Sequence, residues 1–151
     1  MESFFRGRFE AKLDPKGRLS LPSAYRQMTS ETLVITNSLF KGRRCLDAYH
    51  EKAWESLEAR IQKLSPLKAE VQAFQRFYLS GAQVVELDTQ NRVLIPQGLR
   101  QYANLESEVV LVGMGEKFEV WPRLVWQQIY EDLVLNFDEN LSNLSKLEWD
   151  S

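Results

Sequence analysis

Asp14-Pro15-Lys16-Gly17-Arg18-Leu19-Ser20-Leu21-Pro22-Ser23-Ala24-Tyr25-Arg26 decides the fold, because the chain writes it twice. It returns 74 positions later as Asp88-Thr89-Gln90-Asn91-Arg92-Val93-Leu94-Ile95-Pro96-Gln97-Gly98-Leu99-Arg100. Asp, Arg, Pro and Arg recur at the same offsets, and Leu19, Leu21 and Tyr25 match Val93, Ile95 and Leu99. A turn repeated in this way predicts two copies of one small module.

Each copy reads as strand, tight turn, strand, short helix. Arg8-Phe9-Glu10-Ala11-Lys12-Leu13 alternates polar and apolar, the period of a half-buried strand. Asp14 can bond backbone N–H groups two residues on. Pro15 presets the next φ, and Gly17 is free to take φ > 0. Asn91 stands where Gly17 stood, and asparagine is the usual substitute in the left-handed region. Asp14, Gly17, Asp88 and Asn91 are therefore assigned to shaping the turns. Pro22 opens a short helix.

Working outward, 151 residues suggest one compact domain or two very small ones. A hydrophobic content of 44% is enough for a core. Cys45 is the single cysteine, so no internal disulfide forms, which fits a reducing cytoplasm. The N-terminus lacks the apolar run of a signal peptide, and no stretch approaches a membrane span.

The formal charge of −2 argues at face value against nucleic acid, but its distribution does not. Residues 1–26 carry six cations against three acids, whereas residues 131–151 carry six acids against Lys146. Arg8 and Lys12 share one face of the first strand, which leads into Lys16 and Arg18 on the turn. Cations converging on one turn offer a phosphate-binding edge, with a solvated strand face as the plainer alternative.

Glu31–Thr36 reads as a strand, Asn37–Arg44 as a hairpin loop with three cations, and Cys45–Tyr49 as the return strand. Lys41, Arg43 and Arg44 are most simply a solvated loop tip. The second copy has Val109–Val112, a turn through Gly113–Glu116, and Lys117–Trp121. Helices follow both, with Trp54, Leu57, Ile61 and Leu64 on one face of the first and Trp126, Ile129 and Leu133 on one face of the second. Trp54 with Trp126 and Tyr49 with Trp121 match at an offset of 72, so the repeat spans most of each half. Pro66 starts a further helix to about Leu79, making a helical connector. The tail beyond Asn136 is polar and acidic, and a loosely held or partner-packed end is expected. The division is 7–53, first module; 54–80, connector; 81–124, second module; 125–151, C-terminal helix and acidic tail.

The repeated Asp-x-x-x-Arg turn followed by apolar-x-apolar-Pro resembles the AbrB/SpoVT swapped-hairpin module. Two such modules in one chain resemble the MraZ family, with Phe5-Arg6-Gly7, residues 13–22, Leu111-Val112-Gly113 and Lys117-Phe118-Glu119-Val120-Trp121 all matching its pattern. The likeness covers residues 5 to about 135. It implies a mainly β, α+β fold: two swapped-hairpin β-barrel repeats in pseudo-twofold arrangement, with peripheral helices. It also implies a cytoplasmic, nucleoid-associated transcriptional regulator, typically a repressor of its own operon in the division and cell-wall gene cluster. Such a protein would assemble as a ring-shaped homo-oligomer and bind double-stranded DNA carrying short direct repeats. Carried over, Arg18 is the leading DNA contact and Arg92 its counterpart; Lys16, Arg8 and Lys12 join them as DNA-binding candidates on the convergence of charge read above.

The chain departs from a symmetric picture. Its second turn has neither lysine nor glycine, and Ala82, Val84 and Glu86 stand where the first strand has Arg8, Glu10 and Lys12. The first module is therefore expected to do most of the DNA binding. Arg18 and Arg92 could instead be ion-paired to the Asp four positions earlier. Arg26 and Arg100 read as surface or interface residues, and Trp54, Trp121 and Trp126 as core or subunit contacts. An enzyme is not supported: His50 is the only histidine, and no metal-ligand cluster, phosphate-cradling loop or nucleophile elbow appears. No cofactor, metal or small-molecule substrate is expected. A ring-forming scaffold that binds protein without DNA specificity is the competing class.

Overall fold

A computed structural model describes residues 4–147. Glu2, Glu148 and Asp150, which enter the charge reading, lie outside the described residues. Among the described residues eight strands form: β1 (Arg8–Lys12), β2 (Arg18–Ser20), β3 (Thr32–Phe40), β4 (Arg43–His50), β5 (Gln83–Glu86), β6 (Arg92–Leu94), β7 (Glu108–Gly113) and β8 (Lys117–Pro122). The helices are α1 (Ser23–Arg26), α2 (Glu51–Gln62), α3 (Ala69–Phe74), α4 (Gln97–Tyr102), α5 (Arg123–Leu135) and α6 (Phe137–Leu144); a π-helical turn, Gln75–Leu79, prolongs α3. The protein is mainly β with several helices, an α+β fold.

One six-stranded sheet runs β1-β7-β8-β4-β3-β5, and β2 pairs with β6 in a separate ribbon. Each half lends its first strand to the other: β1 lies on β7, and β5 lies on β3. Exchanging β1–β4 with β5–β8 leaves every pairing in place, so the topology carries a pseudo-twofold. Continuous pairing does not close into a barrel, because β1 and β5 are the edges of the sheet. Isolated bridges, Leu13 to Leu19 and Leu87 to Val93, hook each edge onto the ribbon and curl the sheet round its core.

Burial explains the sequence runs. In Leu33-Val34-Ile35-Thr36 all four residues are buried, so β3 is covered on both faces and reads as a continuous run instead of an alternation. Leu33, Ile35, Leu46, Ala48, Val109, Leu111, Phe118 and Val120 point inward with Tyr25 and Leu19. Phe5, Phe9, Tyr25 and Phe118 stack there at ring-centroid distances of 4.8 to 5.3 Å, geometry that favours aromatic pairs. On the outer face, Trp54 and Tyr78 cover Val34 and Tyr49. Ile129 and Trp126 cover Val110, Val112 and Trp121 in the related place. His50 caps α2, its side chain accepting from the Ala53 N–H at 3.3 Å, a structural post for the sole histidine.

Two expectations change. The loop over Asn37–Arg44 is a two-residue turn, Lys41 (φ 51°) and Gly42 (φ 78°), between long strands. Positive φ at both centres matches the twist of the hairpin, so pairing runs on to the turn. The stretch after Asn136 forms helix α6, none of whose residues is buried.

Candidate nucleic-acid interface

The two Asp-x-x-x-Arg turns have the same construction. Asp14 Oδ1 accepts the N–H groups of Lys16 (3.0 Å) and Arg18 (2.8 Å), and Oδ2 accepts Arg18 Nε at 2.6 Å. Asp88 Oδ1 accepts the N–H groups of Gln90 (2.8 Å) and Arg92 (2.9 Å), and Oδ2 accepts Arg92 Nε at 2.8 Å. Gly17 (φ 91°) and Asn91 (φ 60°) supply the left-handed step. The two turns are also tied to each other: the Ile95 N–H donates to Gly17 O at 3.0 Å, and the Leu21 N–H to Asn91 O at 3.2 Å.

Both ion pairs exist, and they do not disqualify the arginines as contacts. Each Asp engages the Nε edge, and among the described residues neither Nη edge has a recorded hydrogen-bond partner. A guanidinium held by one edge is already oriented, which lowers the entropic cost of engaging a second partner with the other.

The carboxyls respond as this geometry requires. The Arg18 N–H, followed against burial by the Arg18 guanidinium and the Lys16 N–H, draws Asp14 down to about 2. The Arg92 N–H leads the same lowering at Asp88. A depressed carboxyl stabilises the turn above its unfolded value, and that contribution disappears as pH falls through the folded one. Titration of the Asp14 carboxyl, followed on the Lys16 and Arg18 amide resonances, is expected to have its midpoint near 2. A midpoint at the ordinary value of 3.8 would contradict the described turn.

Ribbon register sets the exposed face. Arg18 pairs with Leu94, Leu19 with Val93, and Ser20 with Arg92. Leu19 and Val93 turn inward and are buried, so Arg18, Ser20, Arg92 and Leu94 face out together. Arg18 and Arg92 are diagonal neighbours, about 7–8 Å apart at the backbone. Lys16 is exposed at the tip of the first turn.

Arg8 and Lys12 lie elsewhere on the surface. Both are exposed on the sheet face that α5 packs against, and the Arg8 guanidinium sits 4.8 Å from the centroid of the Tyr130 ring. Lys12 is opposite Glu108, which holds Arg123 at 2.7 Å. Arg100, expected from the sequence to be a surface or interface residue, instead packs under the first turn. Its guanidinium lies against Gly17, where a Cβ would meet Arg100 Cζ at 2.4 Å, and its Nε donates to Ile95 O at 2.8 Å. Glycine at 17 thus answers both to φ and to a second cation packed under the turn.

One other cluster needs assignment. Cys45 Sγ and the Asp47 and Glu119 carboxylates lie within 4.8 Å of one another. Burial, reinforced by Asp47, pushes the Cys45 thiol up. Asp47 Oδ2 already accepts Lys117 Nζ at 2.8 Å and the Tyr78 hydroxyl, and Glu119 accepts Trp121 Nε1 at 2.8 Å. Cys45, Asp47 and Glu119 thus sit in a buried polar network in which each carboxylate already accepts a hydrogen bond.

Fold and site define a class: a duplicated hairpin protein whose halves exchange strands and share one arginine-bearing ribbon. The family model described as "MraZ protein, putative antitoxin-like" matches residues 4–77 and again 78–146. The chain is also 39% identical over 140 residues to the transcriptional regulator MraZ of Lactiplantibacillus plantarum, covering 93% of this chain and 97% of that one. The chain belongs to the MraZ family, a family of transcriptional regulators and not of enzymes. Among the described residues no helix is long and apolar enough to cross a membrane.

Proposed function

We propose that this protein is a sequence-specific DNA-binding transcriptional regulator whose β2–β6 ribbon enters the major groove. One observation carries the reading: two carboxylate-braced arginines, Arg18 and Arg92, project from the same exposed face of a two-stranded ribbon. The major groove admits such a ribbon, and guanine O6 and N7 accept an arginine fork. Lys16 adds a phosphate contact from the first turn, with Lys12 and Arg8 as outlying cations. The repeated, strand-exchanged hairpins support assignment to the AbrB/SpoVT swapped-hairpin type and the four-part division given above.

The ring-shaped homo-oligomer belongs to the same proposal. One ribbon makes only a few phosphate contacts, too few for tight binding at physiological salt. Copies held side by side gain avidity on evenly repeated boxes without any new contact. Leu124, Val134, Leu135, Phe137 and Leu141 are exposed on α5 and α6, apolar surface consistent with self-association. The DNA would be short direct repeats upstream of the protein's own operon in a division and cell-wall gene cluster, repressed from the cytoplasmic, nucleoid-associated pool.

The test is footprinting on the DNA upstream of the protein's own gene at two salt concentrations. Protection of evenly spaced boxes that weakens as salt rises is the expected result. An assembled protein that protects nothing, even in dilute buffer, would leave the scaffold class in its place.

A further inference from the structure

Backbone symmetry and side-chain chemistry diverge on the ribbon. Ser20 and Leu94 occupy equivalent places in the two copies, one polar and one apolar. Leu94 is 52% exposed, although its neighbours Val93 and Ile95 are almost fully buried. Single exposed leucines are ordinary on protein surfaces. This one lies on the outward face of a three-residue strand, directly across from Arg18 and two residues from Arg92. On that face it is the one apolar member among Arg18, Ser20 and Arg92.

The geometry points to Leu94 as a specificity-determining residue that packs on the C5-methyl of a thymine next to the base pair engaged by Arg18. This inference rests on the DNA-binding reading above and deepens it. The thymine methyl is the apolar feature the major groove offers, and aliphatic side chains recognise it by contact alone. Directly opposite residues on an antiparallel pair lie about 4.5–5.5 Å apart at the backbone, while successive bases on one strand rise about 3.4 Å. A side chain across from a base-reading arginine therefore reaches the adjoining step. At the other end of the ribbon Arg92 is paired with Ser20, which has no comparable apolar surface. The preferred site is accordingly non-palindromic, with its thymine requirement at the Arg18 end. That suits tandem boxes in one orientation better than inverted ones.

Removing only the methyl provides the test. Full-length protein is titrated by fluorescence anisotropy against a duplex carrying the footprinted boxes, with each thymine replaced singly by deoxyuridine. Wild type is expected to lose about three- to fivefold at one position per box, the scale of one buried methyl. Leu94→Ala should lose a similar factor on thymine DNA and nothing further on uridine DNA at that position. Its melting temperature and sedimentation behaviour should match wild type, since the side chain is outside the core. Uridine replacement that costs wild type nothing, or costs both proteins equally, would overturn the inference while leaving DNA binding intact. A Leu94→Ala protein that loses its assembly state would also overturn it, by making Leu94 a subunit contact. Wild type that binds no duplex would overturn the DNA-binding reading itself, and this inference with it.

Discussion

Alanine at position 18 is expected to weaken binding to box-containing duplex by about 5- to 150-fold, the value of one bidentate arginine–base contact. Two effects combine. The fork to the base is lost, and Asp14 is left without the guanidinium that pairs with it at 2.6 Å, placing a bare carboxylate near phosphate. Arg18→Lys separates them: it keeps the charge but not the planar fork, so it should recover phosphate attraction and little base discrimination. Arg92→Ala should cost less. Its turn has the same bonds, but Gln90 stands where Lys16 provides a further cation, and Ser20 instead of Leu94 lies across from it. Lys16→Ala should weaken specific and unspecific duplexes alike and flatten the salt dependence by about one unit of slope. Competition gel shifts at two salt concentrations read all of these, and equal losses from Arg18→Ala and Arg92→Ala would overturn the asymmetry.

What the sequence could show was whatever is local. The turns were legible because Asp, Gly or Asn, and Arg at fixed offsets leave the backbone one economical path. The ion pairs are four residues apart and were foreseeable as an alternative. An exchange of strands between the halves was expected, but not which strands pair: an alternating strand such as Arg8–Lys12 says which face is buried but not which strand it lies beside. Arg100 against Gly17 was invisible because 83 positions separate them and only a missing side chain marks the place. Helix α6 was missed because its apolar residues, Phe137, Leu141 and Leu144, bury little in this chain and so look sporadic. The Asp47–Lys117 pair spans 70 positions; a lone Asp amid Cys45-Leu46-Asp47-Ala48-Tyr49 was the signal, since a buried acid requires a partner.

That pair gives the largest expected loss of stability. Strands β4 and β8 meet on the pseudo-twofold, Asp47 lies opposite Glu119, and Lys117 lies opposite Tyr49. Asp47 is 0% exposed, with Lys117 Nζ at 2.8 Å, the Tyr78 hydroxyl on the same oxygen, and Tyr49 and Tyr78 hydroxyls 2.6 Å apart. Oδ1 has no hydrogen-bond partner among the described residues, so the lysine supplies most of the compensation for a buried charge. Burial works against the Lys117 ammonium, but Asp47 outweighs it and the net direction is upward. A raised lysine contributes stability that is complete below its unfolded value and fades as pH climbs through the folded one. Lys117→Met removes that contribution at every pH and strands the carboxylate, at a cost of about 3 kcal/mol, the low end for breaking a buried pair. The lysine side chain keeps 26% exposure, which is why the low end applies. For a chain of this size the melting temperature should fall by roughly 6–12 °C. Adding Asp47→Leu to Lys117→Met should restore most of the loss, since an apolar pair pays no desolvation and Tyr78 keeps its bond to Tyr49. Calorimetry on the two variants decides it: a single mutant that melts like wild type, or a double mutant no better than the single, would show that the seam between the halves does not depend on this charge pair.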